Sequence, residues 1–344
     1  MTLSRRALVA LSVLAVPALA SCSGGDADAA RDEGAEGGFH ATITHLYGET
    51  VLEKKPTKIA TVSWVNADTV LALGLVPAGM PVVTWGGNDN GSTDWIDAAL
   101  EELGAGWGTE NAPATYDESD GINLDESAAV VPDLIVAAYS GLTEEEYTQL
   151  SKIAPTIGPL APNYTAAWED VLSAVGDATG LSEHAATLTE QISGDLAAVG
   201  EENPAVAGAT FIAGTLGLAD NTISLYVGED TRARFFTALG MTQAEVVTES
   251  TSDSETFFIE WSAERADELA SDLFYSWAAP GTTVEDFQAN ELFAQIPAVA
   301  EGGVVLTDDD HLTLSISAAN ALSLPWALEH FVPTVVETAQ NVRG

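Results

Sequence analysis

The sequence predicts an α/β protein of two lobes with mostly parallel sheets, joined by a single long helix. Three observations predict it. From Phe39 onward, short β-branched or apolar runs alternate with segments of helical period, the pattern of βαβ units. Residues 182–202 place Ala185, Ala186, Leu188, Ile192, Leu196, Ala197 and Val199 at helical spacing, with Pro204 just beyond. Finally, the two halves echo one another. Asn123-Leu124-Asp125-Glu126 leads to Asp133-Leu134, and Ser262-Ala263-Glu264-Arg265 leads to Asp272-Leu273, with the Asp-Leu pair eight positions after an acid in each case.

Taken in order, residues 58–62 and 133–138 have the composition of buried strands, and 155–158 of a shorter one. Between the first two, residues 67–73 follow a helical period and stop at Gly74, a C-cap signal reinforced by Pro77. The second half repeats this style. Residues 209–213 and 224–227 read as strands, 231–239 as a helix closed by Gly240, and 272–276 and 304–307 as strands. A helix over 182–202 would reach about 30 Å, enough to bridge both lobes; the same periodicity also suits a surface helix within one lobe. The expected division is a leader over 1–21, a tether over 22–38, an N-terminal lobe over 39–181, the helix over 182–203 and a C-terminal lobe over 204–344.

Charge restricts function. The 344 residues hold 11 basic and 52 acidic side chains, a net charge of −41. Nucleic-acid binding needs clustered Lys and Arg and is excluded on this ground. The acids are dispersed, as on a solvated surface, so the charge reads as solubility or adaptation to salt.

The N-terminus carries Arg5 and Arg6, an apolar run from Ala7 to Ala20, and Leu19-Ala20-Ser21-Cys22. A basic start, a short apolar stretch and small residues form a secretory leader, and the run is too short to span a bilayer. Loss of that leader, with two basic and no acidic residues, takes the net charge from −41 to −43. Cys22 is the only cysteine. It therefore has no intrachain disulfide partner and cannot belong to a Cys-based zinc site. Leu-Ala-Ser-Cys resembles the lipobox of bacterial lipoproteins, whose thiol is lipidated before cleavage; the alternative is a stray cysteine in an ordinary leader. Residues 23–38 lack aromatic and β-branched residues and read as a flexible tether.

The most specific segment is Tyr139-Ser140-Gly141-Leu142-Thr143-Glu144-Glu145-Glu146-Tyr147, followed by Leu150-Ser151-Lys152-Ile153-Ala154-Pro155-Thr156. Supporting it are Thr42-Ile43-Thr44-His45 with Tyr47-Gly48-Glu49-Thr50, Ala67-Asp68 with Leu71-Ala72-Leu73-Gly74, and Leu322-Ser323-Leu324-Pro325-Trp326-Ala327-Leu328. In this order and spacing, over nearly the whole mature chain, they resemble the iron–siderophore substrate-binding lipoproteins of bacterial ABC importers, a cluster that includes haem and cobalamin binders. The resemblance implies the class III fold of two Rossmann-like lobes held by a rigid helix, a ligand in the cleft with limited closure, no intrinsic cofactor and no catalysis. It also implies a monomer that docks on an ABC permease through one acid per lobe. The matching positions are Asp125 and Glu264, with Glu126 able to replace the shorter Asp125. A bland reading of both acids, helix N-terminus stabilisation, holds alongside docking.

In parallel sheets, ligands bind beyond the strands' C-terminal ends. That places Trp64, Trp85 and Tyr139 at the cleft in the first lobe, and Tyr226 and Trp277 in the second, with Arg232 and Arg234 opening the next helix. A ferric siderophore already fills iron's six positions, so a binder needs flat apolar walls and a few donors, not metal ligands. Core packing is an equal alternative for Trp64, Tyr139 and Trp277, and the better reading for Trp95, Trp107, Trp261 and Trp326. Arg232 and Arg234 cannot both face the cleft from one helix. One is expected as a ligand contact and the other as a surface ion-pair partner. The scarcity of bases favours a less anionic chelate such as a hydroxamate.

Direct metal binding would need converging His and carboxylates, but His40, His45, His184, His311 and His330 are dispersed. His311, behind Asp308-Asp309-Asp310, reads as part of an exposed acidic turn. Asn88-Asp89-Asn90-Gly91-Ser92-Thr93-Asp94 resembles a calcium loop without its twelfth-position Glu, and reads as a loop over the cleft. No Gly-x-Ser-x-Gly, His-Glu-x-x-His or phosphate-binding glycine loop supports an enzyme, leaving a secreted hydrolase as the weaker alternative.

Overall fold

The computed structural model describes residues 38–251 and 256–344. Cys22 and the segments read as leader and most of the tether lie outside them. A hairpin of β1 (Ala41–His45) and β2 (Gly48–Leu52) comes first. Ala41, Ile43 and His45 alternate inward, as period-two geometry requires, and β1 packs on the helix Trp168–Thr179.

The first lobe is built on five parallel strands: β3 (Ile59–Thr61), β4 (Gly79–Pro81), β5 (Ala114–Tyr116), β6 (Leu134–Val136) and β7 (Thr156–Ile157). Their order across the sheet is β5-β4-β3-β6-β7. Every residue of the central β3 and β6 is buried, because helices cover both faces of a parallel sheet. The chain runs outward from β3 to β4 and β5, then returns to place β6 on β3's other side. This reversal opens a crevice above the C-terminal ends of β3 and β6.

The second lobe has β8 (Thr210–Gly217), β9 (Thr222–Tyr226), β10 (Thr242–Gln243), β11 (Phe258–Trp261), β12 (Leu273–Trp277) and β13 (Val304–Thr307). The order is β11-β9-β8-β12-β13, with β10 also on β8. The sheets are mostly parallel, as expected, with one departure: β9 runs antiparallel to both β8 and β11, so the second sheet is mixed. Residues 218–221 are too few for a parallel crossover, which takes a dozen or more residues, and they close a hairpin instead.

The echo between halves has a structural counterpart at the Asp-Leu pairs. Asp133 accepts hydrogen bonds from the backbone N–H groups of Thr57 and Lys58, just before β3. Asp272 accepts one from the N–H of Thr210, the first residue of β8. Each aspartate thus ties the start of its own strand to that of the neighbouring strand. The preceding elements differ: Leu124–Ala129 is an α-helix capped by Asn123, whereas Ala263–Glu268 is a 3₁₀ segment kinked at Arg265.

The helix Ser182–Glu202 follows the predicted bounds. It buries Ala185, Ile192, Leu196 and Gly200 along one face, while Ala186 and Ala197 are exposed. Its first turns pack on Trp168–Thr179 of the first lobe, where Gly176 leaves room for Ala185. Its last turn lies against the Leu239 carbonyl of the second lobe, an approach only Gly200 permits. One apolar core runs through both lobes beside this helix, from Ile59 and Leu134 to Phe211 and Tyr275. Among the described residues, no helix is long and apolar enough to cross a membrane.

Candidate ligand-binding cleft

The crevice opens into a cavity of about 730 Å³ shared by both lobes. Its first-lobe wall starts with the loop Ser63-Trp64-Val65 after β3. Ser63 and Val65 have φ of 61° and 51°, a left-handed conformation that is an outlier for a β-branched residue. Hydrogen bonds hold the loop there. Glu118 Oε2 accepts the Ser63 N–H at 2.8 Å, and Asn66 Nδ2 donates to the Trp64 carbonyl at 3.0 Å. Asn66 also exchanges two 3.0 Å bonds with the Tyr139 backbone. One buried side chain therefore fixes the loops after both β3 and β6.

Aromatic rings continue across the cleft. Trp64 and Trp85 lie 5.8 Å apart between centroids, and Trp85 meets Trp277 of the opposite lobe edge-on at 6.2 Å. Trp277 Nε1 donates to the Tyr226 hydroxyl at 3.0 Å, and that hydroxyl also bonds Thr215 Oγ1 at 2.7 Å. The Arg232 guanidinium stacks 3.5 Å over the Tyr226 ring. Its Nε and Nη2 donate to Asp230 at 2.8 and 2.7 Å, the fork geometry suited to a carboxylate. Burial opposes the charge on Arg232, yet its bonds to Asp230 and the nearby negative groups hold its pKa above the ordinary value.

Six predicted contacts therefore line one cavity: Trp64, Trp85, Tyr139, Tyr226, Arg232 and Trp277. Tyr226 arrives from the antiparallel β9, so the rule that led to it does not describe how it gets there. Arg234 does not line the cavity. It donates to the Glu229 carbonyl at 2.9 Å and the first-lobe Thr165 carbonyl at 3.4 Å. Asp125 and Glu264 are exposed in the first turns of their segments.

Sequence reasoning missed Glu118, Tyr164, Asp230 and Phe257, which also line the cavity. Two further expectations are corrected. His311 is not in an exposed turn: its Nδ1 lies 2.6 Å from the Gly86 carbonyl, and its ring packs on Trp95 and Trp326 at 4.8 and 5.1 Å. Asp309 turns the chain into the helix Asp310–Ser317 by capping Leu312 N–H, which swings His311 inward. Residues 88–94 do not line the cavity either; Asn88 and Asn90 donate to Asp97, which draws the loop onto the helix Asp94–Glu102. Among the described residues, no three His, Cys, Asp or Glu stand placed to hold a metal ion.

Two α/β lobes joined by one helix around an aromatic cleft define a two-lobed solute-binding protein of class III architecture. The chain belongs to the periplasmic binding protein family, whose model matches residues 59–311, and the family is non-catalytic. Among solved structures, PiaA of Streptococcus pneumoniae TIGR4 in complex with ferrichrome is similar, at 28% identity and a TM-score of 0.80. The match covers 88% of this chain and 100% of that one. A periplasmic solute-binding protein of Mycobacterium smegmatis shares the fold at 23% identity and a TM-score of 0.72, covering 88% and 99%. FhuD2 of Staphylococcus aureus with bound ferrioxamine B shares it at 15% and 0.62, covering 83% and 100%. No curated protein sequence matches the chain.

Proposed function

We propose that this protein is the extracytoplasmic substrate-binding component of an ABC importer and captures a ferric siderophore in its cleft. The observation that carries the reading is the continuous aromatic wall of Trp64, Trp85, Trp277 and Tyr226, with Arg232 stacked at its end. Such a wall offers broad rigid contact and a few N–H and O–H donors to a bulky complex whose iron is already fully coordinated. The likeness to PiaA, which was solved with ferrichrome, supports the same ligand class. In this reading a lipid on Cys22 holds the protein at the membrane beside its permease. Asp125 and Glu264, one exposed acid per lobe, meet basic residues of that permease.

The reading is tested by mixing the protein with an iron(III) trihydroxamate and separating the mixture by gel filtration. The chelate's visible band is expected to elute with the protein; elution of all the colour at the small-molecule position, with iron(III) tricatecholate and mixed-ligand chelates as well, contradicts the proposal.

A further inference from the structure

Trp85 stands in the middle of the aromatic wall, between Trp64 and Trp277, yet its loop has little backbone support. Thr84, Trp85 and Gly86 make no backbone–backbone hydrogen bond among the described residues. Support comes instead from the second lobe, where His311 Nδ1 meets the Gly86 carbonyl at 2.6 Å. A carbonyl only accepts, so Nδ1 carries the proton. The other ring nitrogen, Nε2, is buried without a hydrogen-bond partner among the described residues and stands 3.6 Å from Asp94 Oδ2. The ring is held in this orientation by Trp95 and Trp326, at 4.8 and 5.1 Å between centroids. Trp95 is itself fixed, since its Nε1 donates to the buried Asp68 at 2.7 Å. The two backbones also touch: a Cβ added at Gly86, whose φ is 68°, would lie 2.6 Å from the Asp310 carbonyl oxygen.

We propose that His311 is a positioning residue for ligand capture: reaching across from the second lobe, it holds the Gly86 carbonyl and thereby sets Trp85 in register between Trp64 and Trp277. This rests on the siderophore reading and goes beyond it by assigning a role in affinity to a residue that does not line the cavity. Trp85 is a large ring on a loop without backbone bonds of its own. Freed from His311, the loop samples other orientations, and apparent affinity falls in proportion to the fraction of molecules with Trp85 in place. A ring set before the ligand arrives avoids that loss. Because the contact crosses between lobes, Trp85 keeps its edge-on meeting with Trp277 although the two rings belong to different sheets.

The test is a double-mutant cycle between His311 and Trp85. Affinities for iron(III) trihydroxamate, tricatecholate and mixed chelates are read by equilibrium dialysis from their visible bands, and the cycle uses the chelate that the wild type binds tightest. His311→Phe keeps a ring between Trp95 and Trp326 but removes the donor, and should weaken binding about five- to ten-fold. His311→Asn keeps an N–H donor at the place of Nδ1 and should stay within about three-fold of wild type. In a Trp85→Ala background, His311→Phe should change affinity less than about two-fold, because the ring it acts through is gone. A second measurement needs no ligand. Subtracting the near-ultraviolet circular dichroism of Trp85→Phe from that of the wild type isolates the Trp85 signal, and the same subtraction in the His311→Phe background should give a smaller one. Wild-type affinity in His311→Phe, an equal loss with and without Trp85, or an unchanged Trp85 signal would overturn the proposal while leaving siderophore capture intact. Absence of wild-type binding to all three chelates would instead overturn the siderophore reading, and this inference with it.

Discussion

Asp68 shows at residue scale what it takes to join two lobes. It is fully buried and accepts Trp95 Nε1 at 2.7 Å and the second-lobe Asn320 Nδ2 at 3.0 Å. Burial pushes its pKa up to about 6 from 3.8, despite those bonds. The native state therefore holds the proton more tightly than the unfolded chain. Asp68 leaves stability unreduced below about pH 4 and lowers it as pH rises to about 6, by about 3 kcal/mol at most. Asp68→Asn retains an acceptor and removes the charge. Its melting temperature should exceed the wild type's at pH 8 and converge with it near pH 4; a gap independent of pH would contradict this. The buried Asp230 poses the opposite problem, because Asp230→Ala strands the Arg232 guanidinium and should cost about 3–5 kcal/mol in denaturant unfolding. An unfolding free energy within about 1 kcal/mol of the wild type's would contradict that assignment. Which residues were legible follows from what marks them in sequence. Trp64, Trp85, Tyr139 and Trp277 come shortly after apolar runs, so strand-end logic finds them. Glu118 follows β5, whose Ala114 and Thr115 are exposed and leave no apolar run to read. Tyr164 projects from a turn after Pro162 at a φ of 61°, seven residues beyond the end of β7, too far for strand-end logic to reach.

At the scale of elements, the helix Ser182–Glu202 was legible because length, period and the following proline agree. Its role as a bridge was not, since nothing in a helical period says what its ends touch. Gly200 supplies that information. A Cβ added there would lie 2.4 Å from the Leu239 carbonyl oxygen, whereas one added at Gly194 in the same helix meets nothing within 4 Å. Gly200→Ala should therefore destabilise the protein by about 1–3 kcal/mol, despite alanine's better helix propensity. Gly194→Ala should stabilise it by about 0.5–1 kcal/mol. Chemical denaturation of both variants checks this, and equal effects would mean that the helix end does not press on the second lobe. The antiparallel hairpin in the second sheet was not legible for a related reason: composition marks β8 and β9 as strands, but their direction is set by the four residues between them.

At the scale of the molecule, a core shared by both lobes and hydrogen bonds donated by Asn320 to Asp68 and by Arg234 to the Thr165 carbonyl tie the lobes together. That construction suits a cleft formed before the ligand arrives, with little closure afterwards. The proposed docking role of Glu264 is separable from capture. Glu264 is exposed and does not line the cavity, so Glu264→Ala should leave chelate affinity within about two-fold of wild type while impairing iron uptake by cells. Loss of affinity would place Glu264 in binding instead of docking. Capture itself is most directly tested by titrating the protein's tryptophan fluorescence with iron(III) trihydroxamates. Trp64, Trp85 and Trp277 line the cavity, so saturable quenching at one chelate per protein is expected. An unchanged signal across hydroxamate, catecholate and mixed chelates would contradict the account.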